Sequence, residues 1–169
     1  MTSVDFRYPD GEVREWTLYG ANAKPIFIFS LTEDEEVIAI WQYRHAVDGW
    51  VLELPGGNPK PGQSYEEVLR TELLEETGYE PQGTHIFRDR RAVLDPASVR
   101  VTGLVGVAWG CRRVAELDLD PTELIVPVLY DLNGWLAMCD GGVVEDMKSV
   151  QATRWAWDFL IHKELIQRW

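Results

Sequence analysis

An α+β or α/β sandwich is the fold class that the order of elements predicts, because the chain runs β-rich, helix, β-rich, helix. Short runs rich in Val, Ile, Phe, Tyr and Trp, either alternating or wholly apolar, fill the first third and the middle of the sequence. A breaker-free run of strong helix formers, "YEEVLRTELLEE", separates them, and a longer amphipathic run closes the chain. With 169 residues, 46% of them hydrophobic, one domain with a sizeable core is expected over residues 1–169.

At the N-terminus, "GEVREWTLYGA" alternates after a "PDG" turn, so Asp10 and Gly11 connect two short strands. "KPIFIFSL" and "EVIAIWQYR", divided by the polar "TEDEE", read as a hairpin with an acidic, solvated tip. "GWVLELPGG" is a further strand, stopped by Pro55 and two glycines. Ser64 then caps a helix, with Glu67 three residues on as its capping-box partner and Gly78 as terminator. Beyond it, "THIFRDRRAVL", "RVTGLVGVAWGCRRV" and "ELIVPVLYDL" read as strands joined by "DPAS" and the acidic loop "AELDLDPTE". "NGWLAMCDGG" predicts a short helix ending in glycines, and "SVQATRWAWDFLIHKELIQRW" a long helix packed over a sheet.

The 16 basic and 28 acidic residues leave a formal charge of -12, which argues against nucleic acid and anionic membranes as partners. A polyanionic ligand must be met by a local arginine cluster or by metal ions. Cys111 and Cys139 lack metal-ligand spacing and read as reduced thiols of a cytoplasmic protein. The charged N-terminus has no apolar targeting segment, and no run approaches the ~20 apolar residues that span a bilayer. Most of the eight tryptophans are expected in the core, with one or two left to stack on a base.

The helix opened by Ser64 carries the chemistry. Setting Ser64 at zero on a helical wheel puts Glu75 at about 20°, Glu72 at about 80° and Glu76 at about 120°. Three carboxylates therefore share one stripe, where they repel. A hard divalent cation reverses the sign of that interaction, since clustered oxygen ligands suit Mg²⁺ or Mn²⁺. A solvated acidic face is the plainer alternative, but the glycine-rich "PGGNPKPG" turn that feeds the helix brings backbone close to any bound ion or phosphate.

From Gly57 to Tyr79 the sequence resembles the signature of the Nudix hydrolases: glycine, five residues, Glu, seven residues, then Arg-Glu-apolar-x-Glu-Glu-x-Gly-apolar. Gly57, Glu72, Leu73, Glu75, Glu76, Gly78 and Tyr79 match, whereas Gln63 replaces the first glutamate and Thr71 the arginine. The preceding "IAIWQYRHAVDGWVLELPGG" and the downstream Pro96 are similar to the ADP-ribose pyrophosphatase branch.

The resemblance implies a Nudix fold, a mixed β-sheet sandwiched between helices, with the box helix on one side and the C-terminal helix on the other. It further implies metal-assisted attack of water on the diphosphate of an ADP-ribose or nucleotide-sugar type of substrate. Glu72 and Glu76 become the principal metal ligands, Glu75 an additional ligand or water-positioning group, and Gly56 a carbonyl ligand. Arg44, from "QYR", is the first candidate for the diphosphate or terminal ribose and Arg91 the second, each with a plain surface role as the alternative. Trp16 or Tyr19 would stack on the base, with packing as the alternative. Relatives of this branch are homodimers that exchange N-terminal strands, which here means roughly residues 1–22.

The departures set a second reading beside the first. Threonine lacks the charge and donor fork of arginine, and Arg70 lies at about 240°, away from the stripe. Gln63 gives up a charge. "DPASVRVTG" lacks the branch's water-assisting glutamate, for which Glu145 or Asp146 are the available substitutes. Slower catalysis is expected, and a Nudix-fold nucleotide-binding or regulatory module is the alternative.

Overall fold

The computed structural model of the protein describes residues 1–20 and 23–166. Its strands are β1 (Thr2–Arg7), β2 (Val13–Leu18), β3 (Ile26–Thr32), β4 (Glu36–Arg44), β5 (Gly49–Glu53), β6 (Gly56–Gly57), β7 (Tyr79–Glu80), β8 (Gly83–Ile86), β9 (Ala92–Val93), β10 (Thr102–Arg113) and β11 (Ile125–Asp131). Its helices are α1 (Tyr65–Thr77), α2 (Leu132–Asp140) and α3 (Met147–His162).

The nearly continuous apolar run "IFIFSL", broken only by Ser30, makes sense because β3 is buried on both faces. It lies parallel to β10, with Leu104 opposite Ile26, and antiparallel to β4 and β6. The mixed sheet runs β11-β4-β3-β10-β7, with β5 on β4, β6 on β3, and β8 and β9 on β10. Alternation along β3 divides the core. Ile26 and Ile28 pack with Val68, Leu69 and Leu73 of α1, while Phe27, Phe29 and Leu31 pack with Trp135 of α2 and Ala152, Ala156 and Leu160 of α3. The box helix and the C-terminal helix thus cover opposite faces of an α+β sandwich.

Two predicted runs differ from the structure. "THIFRDRRAVL" breaks into β8 and β9, because the chain turns at Arg88–Asp89 and Arg90 lies over the rings of Phe87 and Trp155, 4.7 and 5.5 Å from their centroids. The last helix begins earlier, at Met147, because Asp146 caps it by accepting the Ser149 N–H at 3.0 Å. It ends at His162, where Glu164 adopts a left-handed φ of 57°. The rest of its predicted span, Gln167–Trp169, lies outside the described residues, as does Ala21 of the N-terminal run.

The N-terminal hairpin stands as a sheet of its own, with Thr2 opposite Leu18 and Arg7 opposite Val13. Just beyond it Tyr19 is tied to the main body: its N–H donates to the Ser98 carbonyl, and its carbonyl accepts from the Arg100 N–H, both at 2.7 Å. Phe6, Val13 and Trp16 remain exposed. Among the described residues no helix is long and apolar enough to cross a membrane.

Candidate active site

The site grows from the β6–α1 junction. Ser64 accepts from the Glu67 N–H at 3.3 Å and Glu67 accepts from the Ser64 N–H at 2.7 Å, which fixes where α1 starts. Gly78 ends it with a φ of 79°. These two caps fix the ends of the helix, and the packing of Val68, Leu69 and Leu73 against Ile26 and Ile28 sets the direction in which the carboxylates face.

Glu76 is only 3% exposed, and its Oε2 accepts the Gly56 N–H at 2.9 Å. Glu72 is half-buried, with its carboxylate against the Cα of Gly57, where any side chain would collide with it. A Cβ at Gly56 would instead meet the Ile26 backbone carbonyl, which cannot swing aside. Gly56 is therefore a steric condition for the bend, and Gly57 leaves the Glu72 carboxylate its place.

Burial, then the neighbouring charges of Glu75 and Glu123, pushes the Glu72 carboxyl up to about 7, against a weaker pull from Lys60. Burial likewise pushes Glu76 up to about 8, with Glu72 and Glu123 adding to the rise and the Gly56 N–H and Arg44 opposing it. The two carboxylates lack enough positive charge around them. Arg70, whose guanidinium goes to the Pro81 carbonyl at 3.1 Å and to Glu66 at 3.4 Å, is turned elsewhere. Thr71 brings no charge, and Gln63 accepts the Lys60 N–H at 3.1 Å within the loop.

Sequence reasoning identified the acidic loop between β10 and β11 but not its place beside the box helix. The Asp118 N–H donates to the Glu75 carbonyl at 3.0 Å, which draws the loop over α1. Asp120 raises the Glu72 carboxyl and Glu123 raises both box carboxyls. An acidic loop folded against an acidic helix is itself the signal, though it emerges only in three dimensions. Among the described residues, no three His, Cys, Asp or Glu side chains form a finished metal cage.

Arg44 comes from the end of β4, and its charge acts on Glu76. Its Nε and Nη2 donate to Oε1 and Oε2 of Glu53 at 2.6 and 2.7 Å, and this pairing raises the arginine's own pKa. Lys148 of α3 reaches the same Glu53 at 3.4 Å and Asp146 at 2.5 Å. Asp146 is thus employed as a helix cap and a lysine partner, while Glu145 is exposed. Arg91 is exposed and lines a cavity of about 190 Å³ together with Lys148, Gln151 and Trp155. Trp16 stands apart: its Nε1–H donates to the Tyr8 hydroxyl at 2.6 Å, and it lines a cavity of about 340 Å³ with Pro96, Ala97 and hairpin residues. No box residue lines that cavity. Tyr19 is exposed in the tether.

A mixed sheet between helices, with a strand, a glycine bend and a glutamate-bearing helix at its centre, defines the class of the molecule. The NUDIX domain family matches residues 22–125, more than half of the chain, so the chain belongs to that family. A solved structure described as an ADP compounds hydrolase superposes with a TM-score of 0.82 at 19% identity, covering 97% of this chain and 87% of that chain. At that identity the likeness concerns the fold. No curated protein sequence matches.

Proposed function

We propose that the protein is a divalent-metal-dependent Nudix pyrophosphatase that hydrolyses the diphosphate of a nucleoside diphosphate linked to another moiety, of the ADP-ribose or nucleotide-sugar type. The observation that carries this reading is the undercompensated pair of half-buried Glu72 and buried Glu76, seated on Gly57 and Gly56 beside Arg44. Such a donor set fits a hard divalent cation. Glu72 and Glu76 would hold it, with Glu75 and the Gly56 carbonyl as further ligands. Bound there, Mg²⁺ or Mn²⁺ supplies charge neutralisation for the diphosphate and acidifies the attacking water.

The chain's own groups divide the remaining work. Arg44 holds a diphosphate oxygen and Arg91 the distal part of the substrate. Glu123, facing the box carboxylates from the β10–β11 loop, orients water and accepts its proton. Trp16 offers a ring for a base, in a cavity that a second copy of the chain would bring to the site. The exposed apolar hairpin supports a homodimer built through residues 1–22, since a lone two-stranded hairpin is marginal in water. Two buried free thiols, with Cys111 pushed up to about 12 by burial, are consistent with a cytoplasmic location.

A nucleotide-binding or regulatory module is the second reading, favoured by Thr71, which leaves the box without its arginine. A screen of ADP-ribose, dinucleotides, nucleoside diphosphate sugars and nucleoside triphosphates with Mg²⁺ and with Mn²⁺ separates the two. Metal-dependent release of a nucleoside monophosphate supports the enzyme. Tight nucleotide binding in calorimetry without turnover under any metal supports the module and rejects the enzyme.

A further inference from the structure

Glu53 is the most deeply buried acidic side chain at the site, 2% exposed, yet it faces two cations from different elements. Arg44 is placed opposite Gly49 in the β4–β5 register, and it reaches along β5 to take both oxygens of Glu53 through Nε and Nη2. Its side chain nevertheless stays 44% exposed. A plain buried ion pair would hide both partners. Here the acid is hidden and the arginine is presented, next to Glu76.

The segment after Glu53 is held as firmly. The Leu54 N–H donates to Ser149 Oγ at 2.8 Å, the Ile28 N–H to the Pro55 carbonyl at 2.8 Å, and the Gly56 N–H to Glu76 at 2.9 Å. Ser149 and Lys148 belong to the first turn of α3, whose cap Asp146 binds both of them. One short stretch, Glu53–Gly56, thus carries the arginine on one end and the box glutamate on the other, with α3 pinning it from behind.

We infer that Glu53 is a positioning residue that fixes the Arg44 guanidinium for the substrate's diphosphate, and that Lys148 acts by holding Glu53 in place rather than by touching substrate. The inference rests on the hydrolase reading above and assigns a task to two residues outside the box. Glutamine at position 53 keeps the volume, but it offers one acceptor where the arginine fork needs two and turns an N–H towards it. An arginine released from such a fork recovers its rotamers, and ordering it again on the diphosphate then weakens substrate binding.

The test is a cycle of Glu53→Gln, Lys148→Met and the double variant, assayed for ADP-ribose hydrolysis with Mg²⁺ across substrate concentration and for thermal unfolding. Glu53→Gln is expected to raise KM by about tenfold or more with a smaller change in kcat. Lys148→Met should raise KM less, and the double variant should be no worse than Glu53→Gln alone, because one residue acts through the other. Multiplicative effects on KM would overturn the inference, since Lys148 would then meet the substrate independently. A lowered unfolding temperature with unchanged KM overturns it too. If Glu53→Gln does not fold, Glu53→Asp, which keeps the charge and shortens the reach, takes its place with the same expectation. The same cycle read by calorimetric binding of ADP needs no turnover. Coupled losses of ADP binding without hydrolysis would support the positioning role and reject only the hydrolase reading, whereas ADP binding that is absent, or unaffected by either variant, rejects the positioning role.

Discussion

Glu72 and Glu76 hold their protons to about 7 and about 8 in the folded chain, against 4.5 for an ordinary glutamate. The folded state therefore binds more protons than the unfolded state between about 4.5 and about 8, and its stability falls as pH rises through that window. Their contribution is best below 4.5, where both states are protonated. A divalent cation binds the deprotonated carboxylates, so it opposes this loss and does so more strongly at the alkaline end. Thermal unfolding of metal-stripped protein should show a midpoint that declines from pH 5 towards pH 8 by about several degrees, and Mg²⁺ or Mn²⁺ should raise it more at pH 8 than at pH 6. A metal-free midpoint that climbs across this range would contradict the charge assignment. Gln63 and Thr71 bear on the same balance, because an arginine and a further glutamate at these positions would change both the number of charges and their compensation.

At the level of elements, α1 was legible from local sequence alone. Ser64, Glu67 and Gly78 lie within one or two turns of the ends they define, and the facing of Glu72, Glu75 and Glu76 follows from helical periodicity. Ser64→Ala should cost about 1 kcal/mol, read as an unfolding midpoint lower by about 2–4 °C, and should weaken metal binding little because the glycine bend still seats the carboxylates. A large loss of metal affinity with no change in midpoint would show that the cap acts on the site rather than on the helix. The Arg44–Glu53 fork was not legible. It depends on the β4–β5 register and on an arginine extended along its neighbouring strand, neither of which leaves a local trace. The position of Glu123 depends on a loop folding back over α1 through a backbone hydrogen bond, from Asp118 to Glu75, that any residue type could make. The break in "THIFRDRRAVL" escaped for a related reason, since Arg90 is drawn to two rings, one of them from α3.

For the whole molecule, the sandwich was foreseeable because β3 carries apolar residues towards both faces and the two amphipathic helices need opposite faces. In the proposed dimer the hairpin β1–β2, whose Phe6, Val13 and Trp16 stay exposed in one chain, would be covered by the second copy. Sedimentation should give a dimer for the full chain and a monomer once residues 1–18 are removed; a monomeric full chain would leave Trp16 without a route to the substrate. The decisive experiment is hydrolysis of ADP-ribose with Mg²⁺ by the purified protein and by Glu76→Gln. A pyrophosphatase built on this carboxylate site releases AMP only with metal, and the substitution lowers kcat/KM by about 100-fold or more without unfolding the chain. Equal turnover by the two proteins, or turnover unaffected by chelation, would contradict it.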